Sequence, residues 1–184
     1  MTDINSEKII LKEVLNLFKE KQYAEVEKKA LSYIETFPNN PVLYNLIGAS
    51  QNYLGKYNEA IIFFKKTCDL QPDVAENYIN VGTALKDVGK EYEAISYFEK
   101  SLNIDPFNAL VLAQTGYLCI KNFIPDKAKK YLEKAIKLDP KAEFIFNLGE
   151  AFRQLGDRKN ASRNFLKALS LKPDMIQANY KLAL

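Results

Sequence analysis

The stretch NVGTALKDVGKEYEAISYFEKSLNIDP, residues 80–106, has the pattern of two amphipathic helices joined by a short turn. It places Gly82 inside the first helix, although glycine costs about 1 kcal/mol relative to alanine in a helix interior. It also places the small Ala94 where the second helix is expected to carry bulk. Helices that pack closely need small residues where their axes approach, so the stretch predicts a tight hairpin in which Phe98 fills the adjacent volume.

The same pattern recurs along the chain with a period of 34 residues, shortened to 33 at one step. The recurring residues are Pro38, Pro72, Pro106, Pro140 and Pro173; Gly48, Gly82, Gly116 and Gly149; and Ala60, Ala94, Ala128 and Ala161. One hairpin cannot bury its apolar face alone, whereas stacked neighbours can. The three interlocked periods therefore predict an array of helical hairpins.

The period, together with LGKYNEAIIFFKKTCDLQP (54–72) and VGKEYEAISYFEKSLNIDP (88–106), resembles the tetratricopeptide repeat family. The resemblance implies an all-α, right-handed superhelical solenoid of antiparallel helix hairpins, with first helices inside and second helices outside. We expect a single solenoid over residues 1–184. Its predicted parts are a degenerate repeat 1 (7–40), repeats 2 (41–74), 3 (75–108), 4 (109–141) and 5 (142–175), and the start of a sixth repeat or a capping helix (176–184). Repeat 1 is degenerate because Val14 and Val26 replace the glycine and the alanine.

Local signals predict how the helices begin and end. We expect Gly55, Gly89 and Gly156 to provide left-handed turns inside the hairpins, and Asp73, Asn108 and Asp174 to cap the following helices. In repeat 4, Phe123 replaces the turn glycine, and we expect Asn122 to adopt the left-handed conformation and Pro125 to begin the next helix. We favour local packing of Phe123 and Ile124 over an exposed partner contact. The connection from Pro140 to Gly149 is one residue short and lacks a cap, which leaves the angle between repeats 4 and 5 open.

Composition excludes several function classes. The chain has no histidine, and its two cysteines, Cys68 and Cys119, form no CxxC pair, so we predict buried free thiols, no metal site, no cofactor and no catalysis. No apolar run approaches the roughly 18 residues of a membrane span. The start MTDINSEKII lacks a signal-peptide pattern, so we expect a cytoplasmic protein.

Charge is uneven along the chain. Residues 109–184 carry 14 basic and 7 acidic side chains, although the whole chain is only +3. This excess is explained by a solvated helix surface or by an acidic partner. Nucleic-acid binding is not expected, because the basic half lacks aromatic residues interleaved on a common face.

A line of amides marks the predicted concave groove. Asn80 precedes Gly82 by two residues, about 200° around a helix, so it faces away from the packed side. The equivalent positions are Leu46, Asn80, Gln114 and Asn147. A carboxamide can match the C=O and N–H groups of an extended peptide, and the line resembles the asparagine ladder of O-linked N-acetylglucosamine transferases. Leu46 departs from the ladder, and Asn45 is the candidate to replace it.

The remaining groove candidates are apolar or basic. Tyr117 and Phe146, with Ile120, are expected to supply apolar contacts, and Lys86, Lys121 and Arg153 to supply charge. The alternative is that the amides are solvated or bonded to adjacent helices.

Two functions compete. The first is a non-enzymatic scaffold that binds a protein or peptide partner in the groove. The second is the targeting arm of a larger, glycosyltransferase-like enzyme whose catalytic domain lies beyond residue 184. The chain stops inside a predicted helix that carries Leu182 and Leu184, which also predicts self-association through the terminal helices.

Overall fold

A computed structural model describes residues 4–182, with side-chain burial described from Ser6 onward. These residues form eleven helices and no strand. The helices are α1 (Ile4–Lys19), α2 (Tyr23–Ile34), α3 (Pro41–Tyr53), α4 (Tyr57–Leu70), α5 (Ala75–Asp87), α6 (Glu91–Ile104), α7 (Ala109–Lys121), α8 (Pro125–Leu138), α9 (Ala142–Gln154), α10 (Arg158–Leu171) and α11 (Ile176–Leu182). The predicted all-α hairpin fold is confirmed.

The chain divides into two compact units, residues 1–104 and 105–184. Unit 1 contains α1 to α6, and its hairpins pair α1 with α2, α3 with α4, and α5 with α6. Unit 2 contains α7 to α11, and its hairpins pair α7 with α8 and α9 with α10. We refer to α3, α5, α7 and α9 as the first helices, because each opens the hairpin of one of repeats 2 to 5.

Close approach within each hairpin explains the mid-helix glycines. A Cβ atom added at Gly82 would lie 2.7 Å from Cε1 of Phe98, and one added at Gly149 would lie 2.5 Å from Cε1 of Phe165. Phe98 and Ala94 are fully buried, so the ring has little room to move. The predicted contact between Gly82 and Phe98 is therefore confirmed. Repeat 4 makes the same contact with Leu132 in place of the phenylalanine.

The hairpin turns place one residue in the left-handed region at a fixed offset, two residues after the first helix ends. Gly55, Gly89 and Gly156 have φ values of 77–78° there. In repeat 4 the residue at this position is Phe123, which has φ 56°. The assignment of the left-handed conformation to Asn122 is therefore wrong. Asn122 instead donates its side-chain amide to the carbonyl of Leu118 at 2.8 Å.

Phe123 also differs from expectation in its surroundings. Its side chain is 82% exposed, so the prediction of local packing is wrong. The left-handed backbone directs the side chain at the turn into solvent, as the absence of neighbours around the three turn glycines also shows. Pro125 begins α8, as predicted.

The helix caps agree with the sequence in one case of three. Asn108 caps α7 by accepting a hydrogen bond from the backbone N–H of Val111 at 3.1 Å. The caps assigned to Asp73 and Asp174 are wrong, because α5 begins after Val74 and α11 begins at Ile176. At the start of α5 the buried Asn77 donates its amide to the carbonyls of Thr67 and Gln71, at 3.3 and 3.1 Å. These bonds satisfy carbonyls at the end of α4 and fix the start of α5 against that helix.

The two ends of the described chain have their own apolar clusters. In unit 1, Val14 and Val26 are fully buried with Leu43 and Ile47, so the degenerate repeat 1 packs with larger side chains. In unit 2 the last cluster contains Ala142, Ile145, Ala161, Phe165, Ala168, Met175 and Ala178. Leu182 packs partly against this cluster, and Leu184 lies outside the described residues. The exposed apolar residues of α11 are instead Ile176 (80%) and Tyr180 (62%).

Candidate functional site

The predicted amide residues lie at half-buried positions on the first helices, and each unit presents its own pair. We call Asn45 of α3 and Asn80 of α5 the unit 1 amide face. We call Gln114 of α7 and Asn147 of α9 the unit 2 amide face. All four side chains are half-buried, which holds the amide groups at the surface but restricts their motion.

The unit 1 amide face is a hydrogen-bonded pair. The Asn80 Nδ2 group donates to Oδ1 of Asn45 at 3.2 Å. Both N–H groups of Asn45 Nδ2, the second N–H of Asn80 Nδ2 and the Asn80 Oδ1 atom are left over, because a carboxamide has two donor hydrogens and an acceptor oxygen. The pair therefore offers N–H donors and an acceptor oxygen side by side, and one peptide unit requires one of each.

Leu46 does not belong to this face. Only 7% of its surface is exposed, and it packs in the unit 1 core with Val14 and Val26. Its placement on the groove line is wrong, because α1 of the degenerate repeat packs against α3 and covers this position. Lys86, the predicted charge of this unit, lies 3.5 Å from the carboxylate of its neighbour Asp87.

The unit 2 amide face is flanked by exposed apolar residues on α7. Leu110, Gln114, Tyr117 and Lys121 are spaced by four, three and four residues, which places them on one side of the helix. Leu110 is 57% exposed and Tyr117 is 46% exposed. Within the described part of the chain, the side-chain amides of Gln114 and Asn147 form no hydrogen bond. Half-buried amides without partners retain their full capacity to bind a ligand.

Ile120 and Phe146 contribute less to this face than expected. Ile120 is buried, with 9% of its surface exposed, so its predicted groove contact is wrong. Its backbone carbonyl accepts a hydrogen bond from Gln154 Nε2 at 2.9 Å, which fixes α9 against α7. Phe146 is half-buried, and its ring centroid lies 5.4 Å from that of Phe165, so much of this ring packs inside the unit.

A charged cluster on α9 was not predicted from the sequence. The buried carboxylate of Glu150 accepts hydrogen bonds from Arg153 Nε at 3.2 Å and Nη2 at 3.0 Å. Lys181 Nζ lies 3.4 Å from the same carboxylate. Arg153 is thus held in place by Glu150, and the cluster of Glu150, Arg153 and Lys181 keeps one net positive charge. The Glu–Arg spacing of three residues was the available signal.

Residues 4–182 contain two thiols and no cluster of potential metal ligands. Cys68 and Cys119 are buried and form no disulfide, as predicted. Burial, and then the neighbouring Asp69 carboxylate, raises the pKa of the Cys68 thiol to about 11, which keeps it protonated at neutral pH. The same residues contain no group of three potential metal ligands. None of the described helices is both long and apolar enough to cross a membrane.

Comparison with known proteins identifies the fold. The family model for the tetratricopeptide repeat matches residues 42–74, 75–108, 111–141 and 142–175. No curated protein matches the chain in sequence.

Solved structures resemble the chain over nearly its full length. The crystal structure of YrrB, described as a TPR protein with an unusual peptide-binding site, has a TM-score of 0.88 at 18% identity and covers 95% of this chain and 91% of its own. A crystal structure of MamA has a TM-score of 0.84 at 24% identity and covers 96% of both chains. MamA from Desulfovibrio magneticus RS-1 has a TM-score of 0.80 at 20% identity and covers 92% of this chain and 96% of its own.

Proposed function

Because the chain belongs to the tetratricopeptide repeat family, we propose that it is a non-enzymatic protein-interaction scaffold whose amide faces bind extended peptide segments by their backbone. Repeat arrays of this kind generally act as interaction modules, and YrrB is described as having a peptide-binding site. The partner would be a protein or peptide, and no cofactor is required.

The observation that carries the proposal is the state of the four amides. Among the described residues Gln114 and Asn147 are half-buried without a hydrogen-bond partner, and the Asn45–Asn80 pair has three N–H donors and the Asn80 oxygen left over. Half-buried polar groups lose part of their hydration whether or not a ligand binds. An extended peptide supplies alternating C=O and N–H groups, which can satisfy both faces without a particular ligand sequence.

The surroundings of the amides would give specificity. Leu110 and Tyr117 expose apolar surface beside Gln114, and burying it against ligand side chains would favour binding. The Glu150–Arg153 cluster holds a half-exposed guanidinium on α9, the helix that carries Asn147, where it would favour a ligand carboxylate. Tyr117, Phe146, Lys86, Lys121 and Arg153 therefore remain the proposed specificity residues.

The experiment is a titration of peptides selected from a random displayed library against the whole chain. We expect the double variant Gln114→Ala/Asn147→Ala to bind the best peptide with a loss of about 1–3 kcal/mol, or roughly 5- to 150-fold, because each hydrogen bond contributes about 0.5–1.5 kcal/mol. Asn80→Ala should lower affinity by about 2- to 10-fold for peptides that bind unit 1.

A matched control removes amides from exposed positions outside both faces. The variant Asn58→Ala/Asn103→Ala/Gln177→Ala should bind as the original chain does. Circular dichroism establishes that all variants stay folded. If the folded double variant and Asn80→Ala both retain full affinity for every selected peptide, the amide faces are solvated surface and the proposal is wrong.

A further inference from the structure

Unit 2 has a second recess that contains none of the amide-face residues. Pro106, Phe107, Lys134, Lys137 and Leu138 enclose about 320 Å³ between the turn before α7 and the end of α8. We call this site the loop recess. Its volume lies at the lower end of the range for ligand pockets, which suits one bulky side chain better than a large ligand.

Phe107 is the residue that the fold explains least. Its side chain is 74% exposed, although it is an apolar aromatic residue. The corresponding position after the proline in the other repeats is polar: Asn39, Asp73, Lys141 and Asp174. The hairpin array thus forms without an aromatic residue at this position. The Phe107 backbone N–H donates to Oδ1 of Asp105 at 3.2 Å, which holds the turn that presents the ring.

Lys137 departs from the other repeats at the same site. Its equivalents in repeats 2, 3 and 5 are Asp69, Asn103 and Ser170. Within the described residues, neither Lys134 nor Lys137 forms an ion pair. An aromatic residue and a cation thus replace polar or acidic residues at two positions that lie together in the folded unit.

The charges around the loop recess favour an anion. Helix α8 carries Lys127, Lys129, Lys130, Lys134 and Lys137 against only Asp126 and Glu133. Asp105 accepts the Phe107 N–H and Asp139 pairs with Lys141 at 2.7 Å, and within the described residues Glu133 forms no ion pair with Lys134 or Lys137. The ammonium groups of the recess are therefore not neutralised by these neighbours.

We propose that the loop recess binds an acidic peptide segment, with one bulky apolar side chain against Phe107 and Leu138 and adjacent carboxylates beside Lys134 and Lys137. A recess with two cations at its rim accommodates a single side chain, whereas bilayer binding uses a broad apolar face. Single-stranded nucleic acid stacks successive bases on several aromatic residues, and Phe107 is the only aromatic residue that lines the recess.

The test is a nuclear magnetic resonance titration of the isotope-labelled whole chain with the peptide Ac-Glu-Asp-Leu-Asp-Glu-NH2. We expect saturable shifts of the Phe107 and Leu138 amide signals. Replacing the leucine of the peptide by glycine should weaken binding by about tenfold, and so should replacing its four acidic residues by the corresponding amides. Both the apolar side chain and the carboxylates are expected to contribute to the affinity.

Each variant of the chain replaces a residue by the one that occupies the equivalent position in another repeat. Phe107→Asp, as at Asp73, should weaken binding by about tenfold or more, and Lys137→Asn, as at Asn103, by about threefold. The control Lys130→Ser, as at Ser96, changes a lysine of α8 outside the recess and should leave affinity nearly unchanged. If Phe107→Asp fails to fold, the variant Lys137→Asn and the comparison of the leucine and glycine peptides still test the proposal.

Three results would overturn the proposal. The first is no saturable shift at Phe107 and Leu138 at millimolar peptide. The second is equal affinity for the leucine and glycine peptides, which would reduce the site to a general positive surface. The third is binding to phosphatidylserine vesicles or to oligothymidine that Phe107→Asp abolishes, while the peptide produces no saturable shift.

Discussion

Replacing Gly82 tests the packing on which every hairpin depends. An added Cβ would lie 2.7 Å from Cε1 and 2.8 Å from Cδ1 of Phe98, and real Cβ contacts are essentially never this short. Phe98 is fully buried, so relief requires movement of its ring or of the helices. Overpacking of this kind costs about 1–3 kcal/mol.

Helix propensity opposes this cost. Alanine is favoured over glycine in a helix interior by about 1 kcal/mol, so Gly82→Ala should be destabilised by a net of only about 0–2 kcal/mol. Gly82→Leu adds three more carbon atoms beside the same ring, and we expect a net loss of about 3 kcal/mol or more. Ala94→Phe should be similarly destabilising, because Ala94 is fully buried in the facing helix.

The assay is denaturant unfolding followed by far-ultraviolet circular dichroism. Gly89→Ala provides the contrast, because Gly89 has open space around it and its substitution costs only the left-handed strain of φ 78°. Gly82→Leu should lower the denaturation midpoint more than Gly89→Ala does. An unchanged midpoint for Gly82→Leu would show that α5 and α6 do not approach closely at this position.

Three further predictions follow from the termini, the thiols and the ion pairs. Ile176 is 80% exposed, so we expect the chain to self-associate at high concentration and the variant Ile176→Glu to associate less. Light scattering measures the association, and a strict monomer would contradict the prediction. Cys68 and Cys119 should react with a thiol reagent only after unfolding, and rapid labelling of the native chain would contradict their burial. The hydrogen-bonded Lys172 ammonium lowers the pKa of Glu143 from 4.5, so this pair stabilises the fold above that pH and loses its contribution as pH falls below it. The stability difference between the original chain and Glu143→Gln should therefore shrink in acid, and a difference independent of pH would contradict the ion pair.

Periodicity made the hairpins predictable from the sequence. The contact between Gly82 and Phe98 follows from steric needs that recur in each repeat, so the residues that satisfy them recur at a fixed spacing. The position of the left-handed turn residue was also fixed by this spacing. We assigned it to Asn122 from residue preference, whereas the hairpin geometry requires it at Phe123.

Contacts between helices far apart in sequence were not predictable in the same way. The cap prediction at Asp73 failed because α5 begins after Val74, and the bond from Asn77 to the preceding helix was not predicted either. Leu46 was placed on the groove line because the spacing alone does not reveal that α1 covers it. The Asn45–Asn80 bond joins two first helices, and no local sequence signal specifies it.

The candidate faces were only partly predictable. Their amides could be located by counting from the glycine, since position around a helix follows from sequence spacing. The ion pair between Arg153 and the buried Glu150 could not be predicted from sequence spacing alone, because it depends on how much of α9 is buried by the neighbouring helices. The loop recess depends on a turn and a helix end brought together by the fold, so Phe107 and Lys137 become informative only in the folded unit.

Backbone recognition by the amide faces is tested most directly by N-methylation of the bound peptide. N-methylation of the peptide removes one backbone N–H at a time and leaves every side chain in place. Alanine substitution in the peptide removes a side chain and leaves the backbone N–H in place. We expect methylation of the N–H groups bound by the amides to weaken binding to the original chain by about tenfold per site, and we expect the Gln114→Ala/Asn147→Ala variant largely to lose this sensitivity in unit 2. The contradicting result is an affinity insensitive to methylation at every position, or equally sensitive in the original chain and the variant.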